Sequence, residues 1–511
     1  MKKILFYLLS AVLVVAGCTK DDNQENYGEE GISNFIQDEF YSQKENLEYE
    51  VISEKLLSPE EVLEEAFGSR NDLDTNELRI KETFLKRCNE KLEEQMRKDP
   101  VNAPAIHFKK ISFKYDTIDE NGASIKLSAF MGWAMHQIKF MGFRVWWPYD
   151  QDHVLFCCPY THTKEDECAT KSFGGGGWEF LTMWHDNLFI MPDGQGFGEN
   201  HDHTQTYLNH KLHARQYFDA LTVGKKLYLD KYGKLEKDWT LRVAGASQGA
   251  GDGIALHKYL DTEQYQINLK KSYSNEKTRN AANITCRLYG YPEGSPYVEI
   301  PLRDIHRFEY SYVCCGPYSP ETTMQTYSRW EKMSYPCVIP LVIKSMLLCY
   351  SDFLCGQKGY VEQDFFSEEW NRSKAIFDDL YLKKTMNSDD LNIYICKQLG
   401  ITSGAPMAPL ESILSKEMLD TDSQIYKDLI TCLKKQELTS AWTPRTKIKL
   451  RYSENDEVVP VENTKKLVTF LNDNNRTVKL VEDSWKTSKY ESTPVGHVDC
   501  CENYMKSSWE W

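Results

Sequence analysis

The chain has no surplus of positive charge. It carries 76 Asp and Glu against 61 Lys and Arg, a formal net charge of −15 over 511 residues. A chain with this mean field repels phosphate backbones and other anionic polymers, so nucleic acid is excluded as a partner. It also lacks internal repeats, which argues against a solenoid or propeller. Past the N-terminus no run approaches the roughly 20 apolar residues that a spanning helix needs. Metal-ligand spacing is missing too. Three of the cysteine pairs, Cys157-Cys158, Cys314-Cys315 and Cys500-Cys501, are adjacent, whereas zinc sites place about two to four residues between paired ligands. His201, His203, His210 and His213 cluster without a zinc pattern and read as a polar loop at the rim of a site. Gly174 to Gly177 is not followed by Lys-Ser/Thr, so it reads as a flexible loop and not as a phosphate cradle. No metal and no cofactor is expected.

What is present begins with an export signal. Lys2 and Lys3 precede an apolar run from Ile4 to Val15, too short for a mature membrane span. Val15-Ala16-Gly17-Cys18 resembles the lipobox of bacterial lipoproteins. That resemblance implies cleavage before Cys18, lipidation of its thiol with fatty-acyl chains such as palmitate, and attachment to the outer membrane. Thr19-Lys20-Asp21-Asp22 resembles a surface-export tag, and a merely solvated tether is the equal alternative. With Cys18 lipidated, fourteen of the fifteen cysteines remain. Export permits disulfides, but their pairing cannot be read from sequence. Neighbours in a strand point to opposite faces, so one Cys of each adjacent pair is expected to pack as a small apolar residue.

Residues 1–17 are thus read as signal peptide and 18–54 as a polar tether. Ser58-Pro59-Glu60-Glu61 places a cap, an N1 proline and first-turn acids, which starts a helix. A second helix is expected over 75–98, completing an N-terminal helical extension from 55 to 104. From Ile106 the apolar period becomes two. Strands over 106–115 and 124–131 are joined by Asp119-Glu120-Asn121-Gly122, a hairpin signal. Short apolar runs at 153–158, 187–191 and 240–244 each lead into Gly-rich or polar turns and then helical patterns. This alternation predicts an α/β chain with a largely parallel sheet. Strands resume at 447–452 and 477–481. Between lies a mostly helical stretch, 320–445, rich in Met, Tyr and Trp, which divides the core into 105–319 and 446–511. About 490 mature residues exceed what one core normally holds, so insertions or a second domain are expected.

Chemistry concentrates at Gly245-Ala246-Ser247-Gln248-Gly249, after a strand and before a helix. In such a nucleophile elbow a strained turn lifts the serine hydroxyl clear of the sheet, and glycines are needed where a side chain would strike the neighbouring strand or helix. An ordinary Gly-rich turn is the bland alternative. A serine needs a base, and the base an orienting acid. Asp456 follows the 447–452 strand. His497, the last of twelve histidines and the only one after Asp456, lies beyond the next strand. Ser, acid, His is the chain order this arrangement requires. Glu454 and Glu457 are fallback acids.

These motifs resemble the α/β-hydrolases, nearest the secretory-lipase-like and prolyl-peptidase-like branches. Further matches are Pro192-Asp193-Gly194-Gln195-Gly196-Phe197-Gly198-Glu199, the strand end Tyr312-Val313-Cys314-Cys315-Gly316-Pro317-Tyr318 with Ser319 where Asp is usual, and Asp456-Glu457-Val458-Val459-Pro460. The resemblance spans about 105–260, 310–330 and 446–511. It implies an α/β-hydrolase fold with antiparallel entry strands, a helical cap at 320–445, and catalysis by Ser247, Asp456 and His497 through an acyl-enzyme. Gln248 would supply one oxyanion N–H, and Tyr160 or Thr161 the other; the family's His-Gly-Gly is replaced here by Pro159-Tyr160-Thr161-His162. The expected substrate is a small-molecule or peptide acyl compound, with an esterase or lipase favoured over a serine peptidase. A binding lipoprotein on a decayed hydrolase scaffold is the reading from another class. The cap is expected to present a broad apolar wall to a pocket over Ser247. Oligomeric state is not legible.

Overall fold

The computed structural model describes residues 29–44, 47–67, 75–98, 105–140, 143–149, 151–171, 187–233, 235, 239–401, 407–474, 479–482, 485–487 and 492–506. The signal segment, Cys18 and the glycine run at 174–177 lie outside them. Among the described residues no helix is long and apolar enough to cross a membrane.

Ten strands form one sheet: β1 (Tyr49–Leu57), β2 (Ile106–Ile118), β3 (Ser124–Phe140), β4 (Phe143–Pro148), β5 (His153–Cys158), β6 (Asn187–Pro192), β7 (Thr240–Ala246), β8 (Phe308–Cys314), β9 (Lys447–Tyr452) and β10 (Lys479–Glu482). Their order is β1-β2-β3-β6-β5-β7-β8-β9-β10, with β4 paired to β3. The entry strands β1 to β4 pair antiparallel, and β3 meets β6 antiparallel. From β6 to β10 every pairing is parallel. The expected mixed sheet is therefore present. The entry hairpin turns where Asn-Gly predicted: Gly122 sits at φ +80°, and the Asp119 carboxylate accepts from the N–H of Asn121 and of Ala123, both at 2.8 Å.

The central strands are hydrophobic on both faces because helices cover both. All six residues of β6 are buried. The helix His210–Tyr232 packs on the sheet beside Gln248–Thr262, and sixteen of its residues are buried. Ala250, Ile254 and Val313 join Leu450 and Leu467 in one apolar cluster, which ties the helix Gln248–Thr262 to β8, β9 and the helix Glu462–Asp473.

One expectation needs correction here. The stretch read as a polar tether contains the helix Glu29–Gln43, and its last part belongs to β1. Ile32, Phe35, Ile36 and Phe40 are buried at helical spacing, a pattern diluted by the acidic residues around it. The helical extension then consists of Pro59–Phe67 and Thr75–Lys98, as expected. The strand expected over 477–481 is described as β10, parallel to β9; Thr477 and Val478 fall outside the described residues.

The chain divides into two compact units. Among the described residues, the smaller takes Glu29–Phe40 together with Ile267–Val298 and includes the helix Glu276–Leu288; Ser272 donates to Glu39 at 2.6 Å inside it. The larger holds the whole ten-stranded sheet and the helical insert. That insert comprises the helices Pro320–Tyr327, Val338–Cys349, Glu368–Arg372, Lys374–Lys383, Ser388–Gln398, Lys416–Leu419 and Gln424–Lys434. Its aromatic and Met side chains do not form an apolar wall facing solvent. Met324, Met333, Met346, Phe365, Trp370, Phe377 and Met418 close instead on a core of the insert's own. A layer of helices this thick has an interior to fill, and burying those side chains there is worth more than lining an open cleft.

Candidate active site

β7 delivers its chain into the turn at Ser247, whose backbone sits at φ 54° and ψ −123°. This region costs a non-glycine residue on the order of 1–3 kcal/mol. The surroundings hold it there. The Ser247 N–H donates to the Cys314 carbonyl at 2.9 Å, and the helix Gln248–Thr262 starts at the next residue. The glycines are needed for space: a Cβ on Gly245 would lie 2.1 Å from the Gly249 carbonyl oxygen, and one on Gly249 only 2.3 Å from that of Cys158. Ser247 is partly exposed at the top of the sheet while its neighbours are buried.

The structure brings the three widely separated side chains together. His497 Nε2 lies 2.9 Å from Ser247 Oγ, and its Nδ1 lies 2.7 Å from Asp456 Oδ2. Asp456 is fixed through its other oxygen, which accepts from the N–H of Val458 at 3.0 Å and of Val459 at 2.7 Å. With both carboxylate oxygens engaged, the imidazole carries its proton on Nδ1 and turns the Nε2 lone pair to the serine. Burial alone would lower the basicity of His497, but the Asp456 carboxylate, together with Cys501 and Cys315 beside the ring, outweighs it and holds the imidazole above its ordinary range. Of the fallback acids, Glu454 pairs with Lys465 at 2.7 Å. Glu457 accepts from the His497 backbone N–H at 3.0 Å. It thus clamps the histidine without touching its ring.

The oxyanion candidates are placed unevenly. Tyr160 and Gln248 line one narrow recess together with Pro159 and His162. The Thr161 hydroxyl is engaged by Tyr207 at 3.0 Å. Ser319, standing where the family has Asp, caps the first helix of the insert: its hydroxyl accepts from the Thr322 N–H and donates to Glu437.

The insert reaches the site through polar contacts. The Tyr327 hydroxyl donates to the Val458 carbonyl at 2.6 Å, beside Asp456. Thr163 Oγ1 donates to the Met386 carbonyl at 2.9 Å, and Lys384 Nζ to the His201 carbonyl at 2.7 Å. Residues of 320–445 therefore contact the acid turn and the loops that follow β5 and β6. A cavity of about 790 Å³ lies elsewhere, between His210–Arg215, Ala255–Glu263 and Lys435–Leu438, with neither Ser247 nor His497 in its lining.

The histidine cluster expected at a rim is split. His210 and His213 are buried on one helix, and their Nδ1 atoms lie 3.1 and 2.9 Å from the same Asp252 oxygen. Burial pushes the Asp252 carboxyl up, but His213 and His210 outweigh it and hold it down at about 2. Asp252 sits on the helix that begins at Gln248, and its second oxygen meets Gln248 Nε2 at 3.5 Å. This network anchors the helix carrying the elbow. The sequence held a signal for it, a His at i and i+3 on a helix, which lies on one face.

The comparisons agree with this architecture. No protein-family model matches the chain, and no curated protein matches it by sequence. Solved structures do. A candidate hydrolase from Legionella pneumophila superposes with a TM-score of 0.57 at 14% identity, covering 91% of this chain and 96% of its own. A ligand-bound form of LipA from Xanthomonas oryzae, a rice cell wall degrading esterase, gives 0.55 at 14% identity, with 89% and 94% covered. The chain has the α/β-hydrolase fold, with a mostly parallel sheet, antiparallel entry strands and a large helical insert.

Proposed function

We propose that the chain is a serine hydrolase that cleaves an ester through an acyl-enzyme. The observation that carries this reading is the continuous relay from Ser247 Oγ to His497 Nε2 at 2.9 Å and from His497 Nδ1 to Asp456 at 2.7 Å, with the serine on a strained elbow. His497 takes the proton of Ser247 as Oγ attacks the substrate carbonyl carbon. Asp456 orients the ring and offsets the charge it gains. The tetrahedral oxyanion is held by the backbone N–H of Gln248, at the positive end of its helix, and by that of Tyr160. Tyr160 is preferred to Thr161 because it shares a recess with Gln248. His497 returns the proton to the departing alcohol, leaving an acyl group on Ser247. A water, deprotonated by the same histidine, then releases the acid.

Ester chemistry is preferred to amide chemistry because LipA, which shares the fold over most of both chains, is described as an esterase. The mature protein is proposed to be anchored to the outer membrane through lipidated Cys18. A panel of p-nitrophenyl acyl esters against dipeptidyl anilides tests the reading. Turnover of the acyl esters well above any anilide is expected. Turnover confined to the anilides would make it a peptidase.

A further inference from the structure

Four cysteines converge behind the proposed base. Cys314 ends β8 and Cys315 follows it, and Cys500 and Cys501 lie in the helix His497–Lys506. All four are buried, with Cys501 the most accessible at 8%. Neighbouring side chains in a strand should point apart, yet the sulfurs of Cys314 and Cys315 lie 3.6 Å from each other. The reason is local: Cys315 takes a left-handed backbone at φ 51°, which swings its thiol round to the side of its neighbour's. A non-glycine residue held there is strained and signals a position fixed by its surroundings. On the helix, His497 and Cys501 are four residues apart and so share a face. Cys501 Sγ lies 3.9 Å from His497 Nε2. Cys315 Sγ, Cys501 Sγ and a His497 ring nitrogen all lie within 4.8 Å of one another.

We infer that Cys315, Cys501 and Nε2 of His497 form a site for a thiophilic d¹⁰ metal ion, filled only at the expense of the Ser247–His497 hydrogen bond. The spacing suits such an ion. A tetrahedral zinc with sulfur ligands at about 2.3 Å has ligand-to-ligand edges of about 3.8 Å. The Cys501–His497 contact at 3.9 Å falls near that value and the other pairs lie within 4.8 Å, while a disulfide would need sulfurs about 2.0 Å apart. The chemistry suits it as well. Two thiols and an imidazole are the donors such ions prefer, and the histidine is already oriented by a carboxylate on its other nitrogen, as metal-ligating histidines usually are. Access is available from the mouth at Ser247, which is partly exposed. On binding, each thiol releases its proton to solvent and forms one sulfur–metal bond. His497 gives its Nε2 lone pair, keeps its Nδ1 proton on Asp456, and can no longer accept from Ser247. A fourth position stays open to water. Adjacent cysteines do not look like a metal motif because the ligands come one from each pair.

The consequence for activity rests on the serine-hydrolase reading; the binding itself does not. The experiment adds Cd²⁺ to reduced, metal-free protein and follows the ultraviolet sulfur-to-cadmium charge-transfer band, with Zn²⁺ added in parallel to an ester assay. The band should saturate near one equivalent. Hydrolysis, taken relative to each protein's own metal-free rate, should fall at least tenfold and return with EDTA. In Cys315→Ser and in Cys501→Ser the band should be lost, and inhibition should need at least about tenfold more metal, since even outer partners of a metal ligand are worth 10–100-fold. Full titration of the thiols by a thiol reagent without any charge-transfer band would overturn the site. So would a band that survives in both variants. Saturation of the band with hydrolysis unchanged would overturn the role of Nε2. A protein that shows the band but hydrolyses no ester even without metal would refute the hydrolase reading and leave the metal site standing.

Discussion

Gly249→Ala separates the chemistry of the elbow from its stability. The added methyl would lie 2.3 Å from the Cys158 carbonyl oxygen and 2.7 Å from that of Pro159. Both obstacles are backbone, so neither can rotate away. Ordinary contact begins at 3.4 Å, so the helix start and the loop after β5 must part by about 1 Å. Overpacking of this kind costs about 1–3 kcal/mol, and the gain in helix propensity from Gly to Ala returns up to about 1 kcal/mol. The net destabilisation should therefore be about 0–3 kcal/mol. The catalytic loss should be larger, because the displaced loop carries Tyr160, the proposed second oxyanion donor. Removing one such donor costs about 10²–10³-fold in kcat. Urea unfolding and steady-state ester hydrolysis on the same preparations make the comparison, with the loss falling on kcat and not on KM. Gly253→Ala is the control: the one tight contact of its methyl would be a Val313 side-chain methyl, at 3.1 Å, with Val243 and the Ala244 carbonyl at ordinary distances, so it should cost little in either assay. A Gly249→Ala protein retaining more than about a third of wild-type kcat would refute the placement of the hole.

Three further outcomes are expected. The Asp252 carboxyl is held at about 2 in the folded protein against an ordinary 3.8. Its contribution, roughly 2 kcal/mol, is therefore complete above pH 4 and lost as pH falls toward 2. The stability gap between wild type and Asp252→Asn should narrow over that window, and a gap that stays constant between pH 4 and pH 2 would exclude the network. Tyr327→Phe removes the contact from the insert to the Val458 carbonyl and should cost about 1 kcal/mol by urea unfolding, with a rise in KM; identical unfolding and kinetics would show that the insert does not brace the acid loop. Cys18→Ser should abolish fatty-acid labelling in cells, and labelling that persists would rule out the lipid anchor.

Much of this was legible in the sequence because it rested on local rules. The period-two runs and Asn-Gly marked the entry strands. Gly245 and Gly249 marked the elbow because only glycine fits against the backbone there. Chain order pointed to Asp456 and His497, which the fold brings to one serine across 209 and 250 residues of sequence separation. What stayed hidden depends on long-range packing. The aromatic wealth of 320–445 says that something is buried but not whether it is a wall or a core of its own. His210 and His213 became a buried pair only through Asp252 on another helix. Nothing about Cys315 announces a left-handed backbone, so the facing of its thiol could not be inferred.

Ser247 is proposed as the nucleophile, activated by His497 and Asp456. A fluorophosphonate probe with intact-mass and peptide-level analysis tests this directly. One adduct per chain is expected, on the peptide containing Ser247, absent in Ser247→Ala and slowed by about 10⁴-fold in Asp456→Asn, the loss seen when the histidine tautomer is wrong in serine proteases. Equal labelling of Ser247→Ala, or an adduct at another residue, would contradict it.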